Sequence, residues 1–440
     1  MKPVFVGMTV ACVMTLHGLW AAETDAEGFV SLFNGKNLDG WVGSTNGYAV
    51  EQGILTCLPS KGGNLMSAQT YDNFILRFEF RVYTNSNNGL GIRCPLSGRM
   101  SLDGMELQIL DDSGSQYTKL HPYQYHGSIY GVVPAKRGHL KPVGQWNFQE
   151  VRAIGARITV ILNGEVIVDA DLSDIKETPD GKPHPGLHNP SGHIGWLGHG
   201  CRVDWRNIRI NEVDANYAAT KPTDNTPPAG FAALFNGKDL TNWKGVTRTE
   251  KFDNPCVRQK ATPEKRAEIQ AKADAEMRAN WHVRDGGVLY FDGKGYSLAT
   301  AKDYDDFEMR VDWRLLTVLG DSRIYLRGSP QVQIWDAHNR PRHVGSGGLH
   351  NNKKAPSEAL AVADRLIGDW NTFRIKMIGD KVTVWLNNVL VVDDIVLENY
   401  WDRTQPIFPK EQIELQCHGD PIEFKNIFVR EIHPIGKGKQ

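Results

Sequence analysis

Two stretches of the chain combine an arginine, polar side chains at alternate positions and a carboxylate, which are groups that transfer protons and stabilise anionic oxygens. Residues 321–336 read DSRIYLRGSPQVQIWD, and residues 88–112 read NGLGIRCPLSGRMSLDGMELQILDD. Carboxylate and imidazole groups act as general acids and bases, and arginine stabilises negative charge that develops on oxygen. Each stretch therefore predicts a small polar site.

The pattern around these side chains predicts β-strands that place one face on a core. In residues 324–334, apolar and polar residues alternate with the period of two that is typical of a half-buried strand. Residues 328–330, Gly-Ser-Pro, interrupt the alternation, and such a cluster turns a chain. We therefore expect a hairpin or strand corner that puts polar side chains on a shared sheet face. Residues 105–109 follow the same design.

Length and composition limit the class of protein. A chain of 440 residues is too long for one ordinary core and fits two or three domains. Its net charge of -1, without a basic run, argues against a nucleic-acid partner. Glycine and tryptophan are plentiful whereas helical periodicity is scarce, so we expect an all-β chain with many turns.

Residues 1–22 have the pattern of an export signal. One lysine precedes an apolar run, and small residues follow at Ala21 and Ala22. The apolar run is short and contains glycine and polar residues, so we expect no transmembrane span in the mature chain. We predict cleavage near Ala22 and a periplasmic or extracellular location, with lipid anchoring through Cys12 as the weaker alternative.

The other cysteines do not match a disulfide framework or a metal motif. Their number is odd and no Cys-x-x-Cys pair occurs, which argues against both a disulfide framework and a zinc site. One disulfide bridge stays open as an alternative in an oxidising compartment. The positions are Cys57, Cys94, Cys201, Cys256 and Cys417.

The chain contains an internal repeat. Residues 29–41 read FVSLFNGKNLDGW and residues 231–243 read FAALFNGKDLTNW, and further blocks match in the same order. Many short alternating strands separated by turns predict a two-sheet sandwich for each copy. We place the first domain at 28–213, a linker of low burial potential at 214–230 and the second domain at 231–434.

The second copy also contains the one clear helical pattern. Thr262 can cap a helix, Pro263 occupies its first position, and strong helix formers follow. The apolar stripe is thin, so residues 262–280 are predicted to form a helical insertion on the surface.

Several separated blocks resemble the bacterial family of 3-keto-disaccharide hydrolase domains. They are LFNGK-x-L-x-x-W at the start of each copy, the strand pair IYLRGSPQVQIWD, the block GSGGLHNN at 345–352, the Trp-Asn pairs at Trp146 and Trp370, and the His-Gly pairs at His199 and His418. The resemblance covers nearly all of the mature chain. It implies two tandem concanavalin-like or glucanase-like jelly-roll β-sandwiches, in an exported protein that acts as a hydrolase or lyase on 3-keto-glycosides.

The chain departs from the family pattern at two positions. The usual blocks read DSGIYLRG and GGLYNN, whereas this chain has Arg323 in place of the glycine and His350 in place of the tyrosine. The first copy keeps a tyrosine at the matching place, Tyr130. The two copies are therefore not expected to be equivalent in activity.

The resemblance implies chemistry at C2 and C3 of an oxidised sugar. The C3 carbonyl acidifies the C2 proton, because the carbanion is delocalised into an enolate, and loss of that proton lets the C1 substituent leave. Such a site needs a base near C2, a cation or donors at the C3 oxygen, and an acid for the leaving oxygen. In the first copy, the candidates are Glu106 and His199 for proton transfer, Arg93 for the enolate, and Gln108 and Tyr130 for hydroxyl contacts. In the second copy, they are His418 and Asp336 for proton transfer, Arg327 for the enolate, and Gln331, Gln333 and His350 for hydroxyl contacts.

A divalent cation is an alternative to the arginine, because it would polarise the carbonyl oxygen directly. Glu106, Asp111 and His199 could supply its ligands, although their spacing is not specific. The cofactor is otherwise left open.

Structural roles compete with these chemical ones. Asp111 and Asp336 follow strands and can cap turns, which we take as the better explanation of both. Trp196 and Trp335 are assigned to core packing. A strand arginine is often only a surface residue paired with a carboxylate.

Two functions from different classes fit the pattern, and carbohydrate is the partner in both. The first is an exported enzyme that cleaves 3-keto-glycosides. The second is a non-catalytic glycan-binding protein, because lectin-like sandwiches bind sugars with the same kinds of side chain.

Overall fold

A computed structural model describes residues 24–25, 27–179, 181–215, 217, 224–340 and 344–432. The predicted export signal 1–22, with Cys12, lies outside the described residues. So does part of the predicted linker.

The described residues of the first copy form thirteen strands and one short α-helix, besides three single 3-10 turns. They are β1 (Val30–Ser31), β2 (Trp41–Gly43), β3 (Tyr48–Glu51), β4 (Ile54–Cys57), β5 (Gly63–Tyr71), β6 (Phe74–Val82), β7 (Asn87–Cys94), α1 (Met100–Asp103), β8 (Met105–Leu110), β9 (Asn147–Ile154), β10 (Arg157–Leu162), β11 (Glu165–Asp171), β12 (Gly192–Gly198) and β13 (Val203–Glu212).

The second copy repeats this order and adds two helices near its start. Its elements are β14 (Ala232–Ala233), β15 (Trp243–Gly245), α2 (Pro255–Lys260), α3 (Pro263–Asn280), β16 (Trp281–Arg284), β17 (Val288–Phe291), β18 (Leu298–Tyr304), β19 (Phe307–Leu315), β20 (Asp321–Leu326), β21 (Ser329–Trp335), β22 (Asn371–Ile378), β23 (Lys381–Leu386), β24 (Val389–Val396), β25 (Glu411–Gln416) and β26 (Ile422–Glu431).

Each copy is a sandwich of an eight-stranded and a five-stranded antiparallel sheet. In the first copy the strand orders are β11-β10-β9-β6-β13-β4-β3, with β1 beside β13, and β2-β5-β12-β7-β8. In the second they are β16-β17-β26-β19-β22-β23-β24, with β14 beside β26, and β15-β18-β25-β20-β21. The predicted all-β class with two tandem jelly-roll sandwiches and an inserted surface helix is confirmed. Apolar side chains from the inner faces of both sheets form one core for each copy.

Strand pairing shows which residues of the two copies are equivalent. Leu90 pairs with Trp196 and Leu107 in the first copy, and Ile324 pairs with Leu415 and Val332 in the second. Thus β7 corresponds to β20, β8 to β21 and β12 to β25. Because side chains alternate along a strand, the neighbours of these core residues lie on the opposite side of the five-stranded sheet, which we call the outer face.

The extra helices of the second copy lie between β15 and β16. Residues 246–280 fill this connection, whereas residues 44–47 make the corresponding link from β2 to β3. In α3, the Thr262 side chain accepts a hydrogen bond from the Lys265 amide, as its cap position predicts. The buried side chains of α3 are Ile269, Ala273 and Met277, so the helix packs through its thin stripe against the sheet edge.

The two sandwiches share a buried polar interface. Arg77 of the first copy forms ion pairs with Glu150 at 2.7 Å and with Asp369 of the second copy at 2.8 Å, and Arg209 also pairs with Asp369. Phe148 of the first copy belongs to the core of the second. These contacts hold the copies together through both charge and packing.

Within the described residues, no helix is long and apolar enough to cross a membrane. The five cysteines among the described residues are all free thiols, so the disulfide alternative is not realised in this structure. Cys57 and Cys94 are buried, where they pack as small apolar side chains.

Candidate functional site

A cavity of about 320 Å³ lies on the outer face of β21, beneath the loop that follows this strand. That volume is at the lower end of the range for small-molecule sites. Its floor is the edge strand, and its walls come from the loop. The lining residues are Gln333, Trp335, Arg340, Val344, Gly345, Gly348, His350, Ser357 and Glu358.

An indole, an imidazole and a guanidinium meet in this cavity. The rings of Trp335 and His350 are 5.5 Å apart at 68°, in an edge-to-face arrangement. The Arg340 guanidinium lies 5.1 Å from the Trp335 ring centre and donates to Asp321 at 3.1 Å. The Trp335 indole N–H donates to the Val344 carbonyl at 2.6 Å, which fixes the ring. The cavity thus offers an aromatic wall beside one cation and one titratable ring.

The two glutamines of β21 form the polar floor of the site. Gln331 donates to the side-chain oxygen of Gln333, and Asn351 donates to Gln331 at 2.8 Å. Gln333 donates in turn to Asp321 at 2.8 Å. This chain of hydrogen bonds fixes the amide orientations, which suits recognition of hydroxyl groups in defined directions.

His350 and Tyr130 occupy equivalent positions, as the sequence blocks predict. In the second copy, the backbone N–H of Gln333 donates to the carbonyl of Gly348, which lies two residues before His350. In the first copy, the backbone N–H of Gln108 donates to the carbonyl of Ser128, which lies two residues before Tyr130. Each copy therefore places one polar ring beside the edge strand of its five-stranded sheet.

The first copy brings Glu106, Gln108 and Tyr130 together on the outer face of β8. The Tyr130 amide donates to the Glu106 carbonyl at 2.8 Å. The Glu106 carboxyl lies against Gly89, where any Cβ would clash with it. Burial raises the pKa of Glu106 to about 7, a value suited to proton transfer near neutral pH.

A small apolar cluster fills the rest of the first copy's outer face. Met66, Cys94, Met100 and Leu197 pack together there, and all four are buried. The outer faces of the two copies therefore differ, because the second is polar where the first is apolar.

The two predicted enolate arginines are not in these sites. Both are buried and adopt positive φ, 51° for Arg93 and 45° for Arg327, which turns them away from the strand alternation. Arg93 donates to the carbonyls of Asp72 and Gly155 at 2.8 Å each. Arg327 donates to the Asp305 carbonyl at 2.7 Å and pairs with Asp306 at 2.8 Å. Each guanidinium is thus occupied in holding neighbouring loops.

Asp336 is held in a turn. Its carboxylate accepts hydrogen bonds from the Leu319 amide at 2.9 Å and from the Asn339 amide at 3.2 Å. The equivalent Asp111 accepts from the Asn85 amide at 2.9 Å. Neither carboxylate lies beside the cavity, and the turn role expected for both residues matches these contacts.

The predicted histidines lie at strand ends, away from the other candidates. Both are exposed, His199 after β12 and His418 after β25. Across the sheet, Gly195 of β12 lies level with Glu106, because both residues are register partners of Gly91. His199 follows Gly195 by four residues, so it lies about 13 Å further along the strand direction than Glu106. His418 does not line the cavity. The structure therefore does not bring either histidine to its predicted partners.

The potential cation ligands also fail to converge. Glu106 lies on the outer face, Asp111 caps a turn and His199 is exposed at the far strand end. Across the part of the chain that the structure describes, no group of three or more His, Cys, Asp or Glu side chains is arranged to hold a metal ion. The three ligands proposed from the sequence, Glu106, Asp111 and His199, therefore do not form a cation site.

Sequence reasoning missed two important cavity residues. Trp335 was expected in the core, but it is partly exposed and lines the cavity. The correct signal was available, since Trp335 is two residues after Gln333 and so shares its face. Arg340 comes from the loop after β21, where no periodicity indicates direction. By contrast, Trp196 is fully buried in the core, as expected.

Comparisons with known proteins agree with the repeat. A family described as the 3-keto-alpha-glucoside-1,2-lyase-like domain matches residues 28–211 and 230–430. A 3-keto-disaccharide hydrolase from Bacteroides thetaiotaomicron is 26% identical over 232 residues, which cover 43% of this chain and 80% of that protein.

Solved structures also show similarity to parts of the chain. A protein from Parabacteroides distasonis, provisionally assigned as a glycosyl hydrolase, is 29% identical, with a TM-score of 0.39 over 42% of this chain and 99% of that chain. A carbohydrate-binding module from Bacillus subtilis is 11% identical, with a TM-score of 0.27 over 39% of this chain and 96% of that chain. On the two family matches, which span most of its length, this chain belongs to the 3-keto-alpha-glucoside-1,2-lyase-like domain family and carries two copies of the domain.

Proposed function

We propose that this protein is an exported enzyme that cleaves 3-keto-glycosides, and that the cavity of the second copy is its active site. One observation carries the assignment to this site. Gln333, Trp335, Arg340 and His350 line a single cavity large enough for a small sugar, in a chain whose family has a curated 3-keto-disaccharide hydrolase. An aromatic wall with a few convergent polar groups is typical of such sites.

The residues suggest a division of roles. Trp335 would pack against the apolar face of the sugar ring, while Gln333 would bind a hydroxyl group. His350 is proposed to remove the C2 proton, because an imidazole is a base near neutral pH. The electron pair moves into the C3 carbonyl, and the resulting enolate oxygen faces a cation at Arg340. That guanidinium has a buried Nε without a hydrogen-bond partner among the described residues.

The C1 substituent then leaves with the electron pair of its bond. Protonated His350 or Glu358 of the same cavity would return a proton to the leaving oxygen. The sugar product of this elimination is unsaturated between C1 and C2, and addition of water across that bond gives net hydrolysis. The first copy, with Glu106 and Tyr130, is proposed to be either a second site of lower activity or a brace for the second copy.

The test is to incubate the mature protein with 3-keto-trehalose and with a 3-keto-β-glucoside, with and without a chelator, and to follow products by mass spectrometry. We expect aglycone release, and an unsaturated sugar would identify elimination. Saturable sugar binding without product would instead favour a non-catalytic glycan-binding protein.

Three histidine variants locate the base. We expect His350→Gln to lower kcat by about 10²–10⁴-fold, the usual contribution of a general base. His282→Gln, at an exposed histidine of β16 outside this cavity, is the matched control. Loss of turnover in His418→Gln, with full activity in His350→Gln, would move the active site to the strand end originally predicted from sequence.

A further inference from the structure

The outer face of β25 and β20 carries buried polar atoms for which the described residues provide no hydrogen-bond partner. In β25, Ile413 and Leu415 belong to the core, so Gln412, Glu414 and Gln416 face outward. These three side chains are only 1%, 2% and 1% exposed. Buried polar groups nearly always have partners, so an unsatisfied cluster marks a place for water or a ligand.

The unsatisfied atoms are concentrated in one strip. Among the described residues, they include the side-chain nitrogen of Gln412, one carboxyl oxygen of Glu414, both polar atoms of the Gln416 side chain and Nε of Arg323. In the register of β25 with β20, Gln416 lies opposite Arg323, and Glu414 lies opposite Tyr325. We call Arg323, Tyr325, Gln412, Glu414 and Gln416 the polar strip.

The polar strip is continuous with the proposed active-site cavity. Arg323 pairs with Gln416 on one side and with Gln333 on the other, and Gln333 lines the cavity. Neighbouring strands are about 4.8 Å apart, so Gln416 lies roughly 10 Å from Gln333 across the sheet. A ligand seated in the cavity could therefore extend onto the strip.

The first copy has no such strip. The positions equivalent to Arg323, Tyr325 and Glu414 are Gly89, Gly91 and Gly195, and Leu197 replaces Gln416. Leu197 belongs to the apolar cluster on that outer face. The polar set is thus a property of the second copy alone and is not required to build the sandwich.

The inserted segment of the second copy covers the strip. Arg258 of α2 pairs with Glu411 of β25 at 3.0 Å, and Pro255 lies over Gly328 at the end of the hairpin. Burial raises the pKa of the Glu414 carboxyl to about 7, while the charge of Arg258 lowers this pKa and that of Asp253 raises it. No residue of the 246–260 segment belongs to the apolar core of the second copy, so its displacement would open the strip without disturbing that core.

We propose that the polar strip is a second sugar-binding subsite, joined to the cavity through Gln333, which receives the leaving sugar of a disaccharide beneath the 246–260 segment. The choice of a sugar follows from the groups present. Amides, a phenol, a carboxyl and a guanidinium offer donors and acceptors together, which suits hydroxyl groups that both donate and accept. The sugar substrate class rests on the proposed function.

The test compares a disaccharide with a single sugar. Trehalose and methyl α-glucoside are titrated calorimetrically into the full mature chain, for the wild type and for Gln416→Leu, which installs the residue of the first copy. We expect the wild type to prefer trehalose by about ten-fold or more, and the variant to lose that preference, because the lost hydrogen bonds leave polar groups unpaired. Glu414→Gln, of the same shape, tests the strip if the leucine variant fails to fold.

Two further measurements complete the test. Gln149→Leu, at a buried glutamine of the first copy, is the matched control and should keep the trehalose preference. Hydrogen exchange should show that trehalose, but not methyl α-glucoside, protects the 246–260 segment. Equal affinity for both sugars in the wild type, or an unchanged preference in both strip variants, would show that the strip holds water only and would overturn the proposal.

The two proposals can fail separately. Trehalose preference lost in Gln416→Leu, without turnover of any 3-keto-glycoside, would keep the subsite and reject the enzyme. Turnover with equal KM values for 3-keto-trehalose and methyl 3-keto-α-glucoside would keep the enzyme and reject the subsite.

Discussion

At the scale of single residues, Arg327 shows how an arginine in a strand sequence can serve the backbone rather than a ligand. It is 3% exposed, and its guanidinium reaches the Asp305 carbonyl and the Asp306 carboxylate. These two residues form the turn between β18 and β19. A side chain so occupied positions the rim of the sheet, and Arg93 does the same in the first copy through Asp72.

We therefore expect Arg327→Ala to destabilise the fold rather than to abolish chemistry. Lost charged hydrogen bonds should lower the free energy of unfolding by about 2–3 kcal/mol, measured with denaturant. Arg157→Ala removes an exposed ion pair with Asp169 and should cost less than about 1 kcal/mol. A variant of unchanged stability that has lost turnover would return Arg327 to the role of enolate stabiliser.

Glu106 predicts a pH dependence of stability. Burial raises its pKa from 4.5 to about 7, so the folded chain binds a proton more tightly than the unfolded chain. The stabilisation is present below about pH 4.5 and is lost as pH rises to about 7, by at most roughly 3 kcal/mol.

The measurement is denaturant unfolding at pH 5.5 and pH 8. The free energy of unfolding of Glu106→Gln, minus that of the wild type, should be larger at pH 8 than at pH 5.5. The reason is that the wild-type carboxyl ionises at the higher pH whereas the amide does not. Glu51→Gln, at an exposed position, should track the wild type. An unchanged difference at the two pH values would contradict the shifted pKa.

At the scale of elements, the position of α3 depends on close approach to β15. The Gly245 amide donates to the Asp274 carboxylate at 2.8 Å, and Gln270 donates to the Gly245 carbonyl at 2.9 Å. A Cβ at Gly245 would clash with the Ala273 carbonyl. The helix is therefore fitted to a strand without a side chain.

Gly245→Ala should loosen α3 at a cost of about 1–3 kcal/mol, since the helix or the strand must shift. Limited proteolysis should then cut within 263–280 faster than in the wild type. Ala271→Gly, on the exposed side of α3, should lower helix propensity by about 1 kcal/mol but leave the helix docked. Equal cleavage rates in the wild type and Gly245→Ala would argue against this packing.

The elements also show what the sequence could predict. Alternation gave the strands of the 321–336 hairpin, and Thr262 with Pro263 marked the start of α3, because both signals are local. The match between His350 and Tyr130 followed from the repeat. Periodicity assigns a residue to a face but cannot show that a positive φ removes Arg93 and Arg327 from that face.

Residues outside the strands were harder to place. Arg340 and Glu358 reach the cavity from a loop, whose path depends on tertiary contacts rather than on a repeating pattern. His199 and His418 are retained in both copies at the same turn, and this repetition favoured a functional role that proximity does not support. The polar strip is not visible in the sequence, because Arg323 and Gln416 become neighbours only through the pairing of β20 with β25.

At the scale of the whole molecule, the two sandwiches should unfold together. Arg77 and Arg209 of the first copy both pair with Asp369, and Arg77 also pairs with Glu27 at 3.0 Å. We expect a single calorimetric transition for the wild type. Asp369→Ala should cost about 3–5 kcal/mol, because it leaves buried arginine charge uncompensated, and should separate the transition into two. Two transitions in the wild type would show that the copies are independent.

Phe148 also makes the core of the second copy depend on the first copy. Its ring lies against Gly368 in the core of the second copy, whereas the first core is built from residues of the first copy alone, so the second half depends on the first to complete its interior. A chain cleaved between the copies should behave as a non-covalent heterodimer whose fragments co-purify, and the second fragment alone should aggregate because its core is incomplete. Deletion of the first copy would therefore leave a gap in the core of the second, so the second copy is not a free-standing unit.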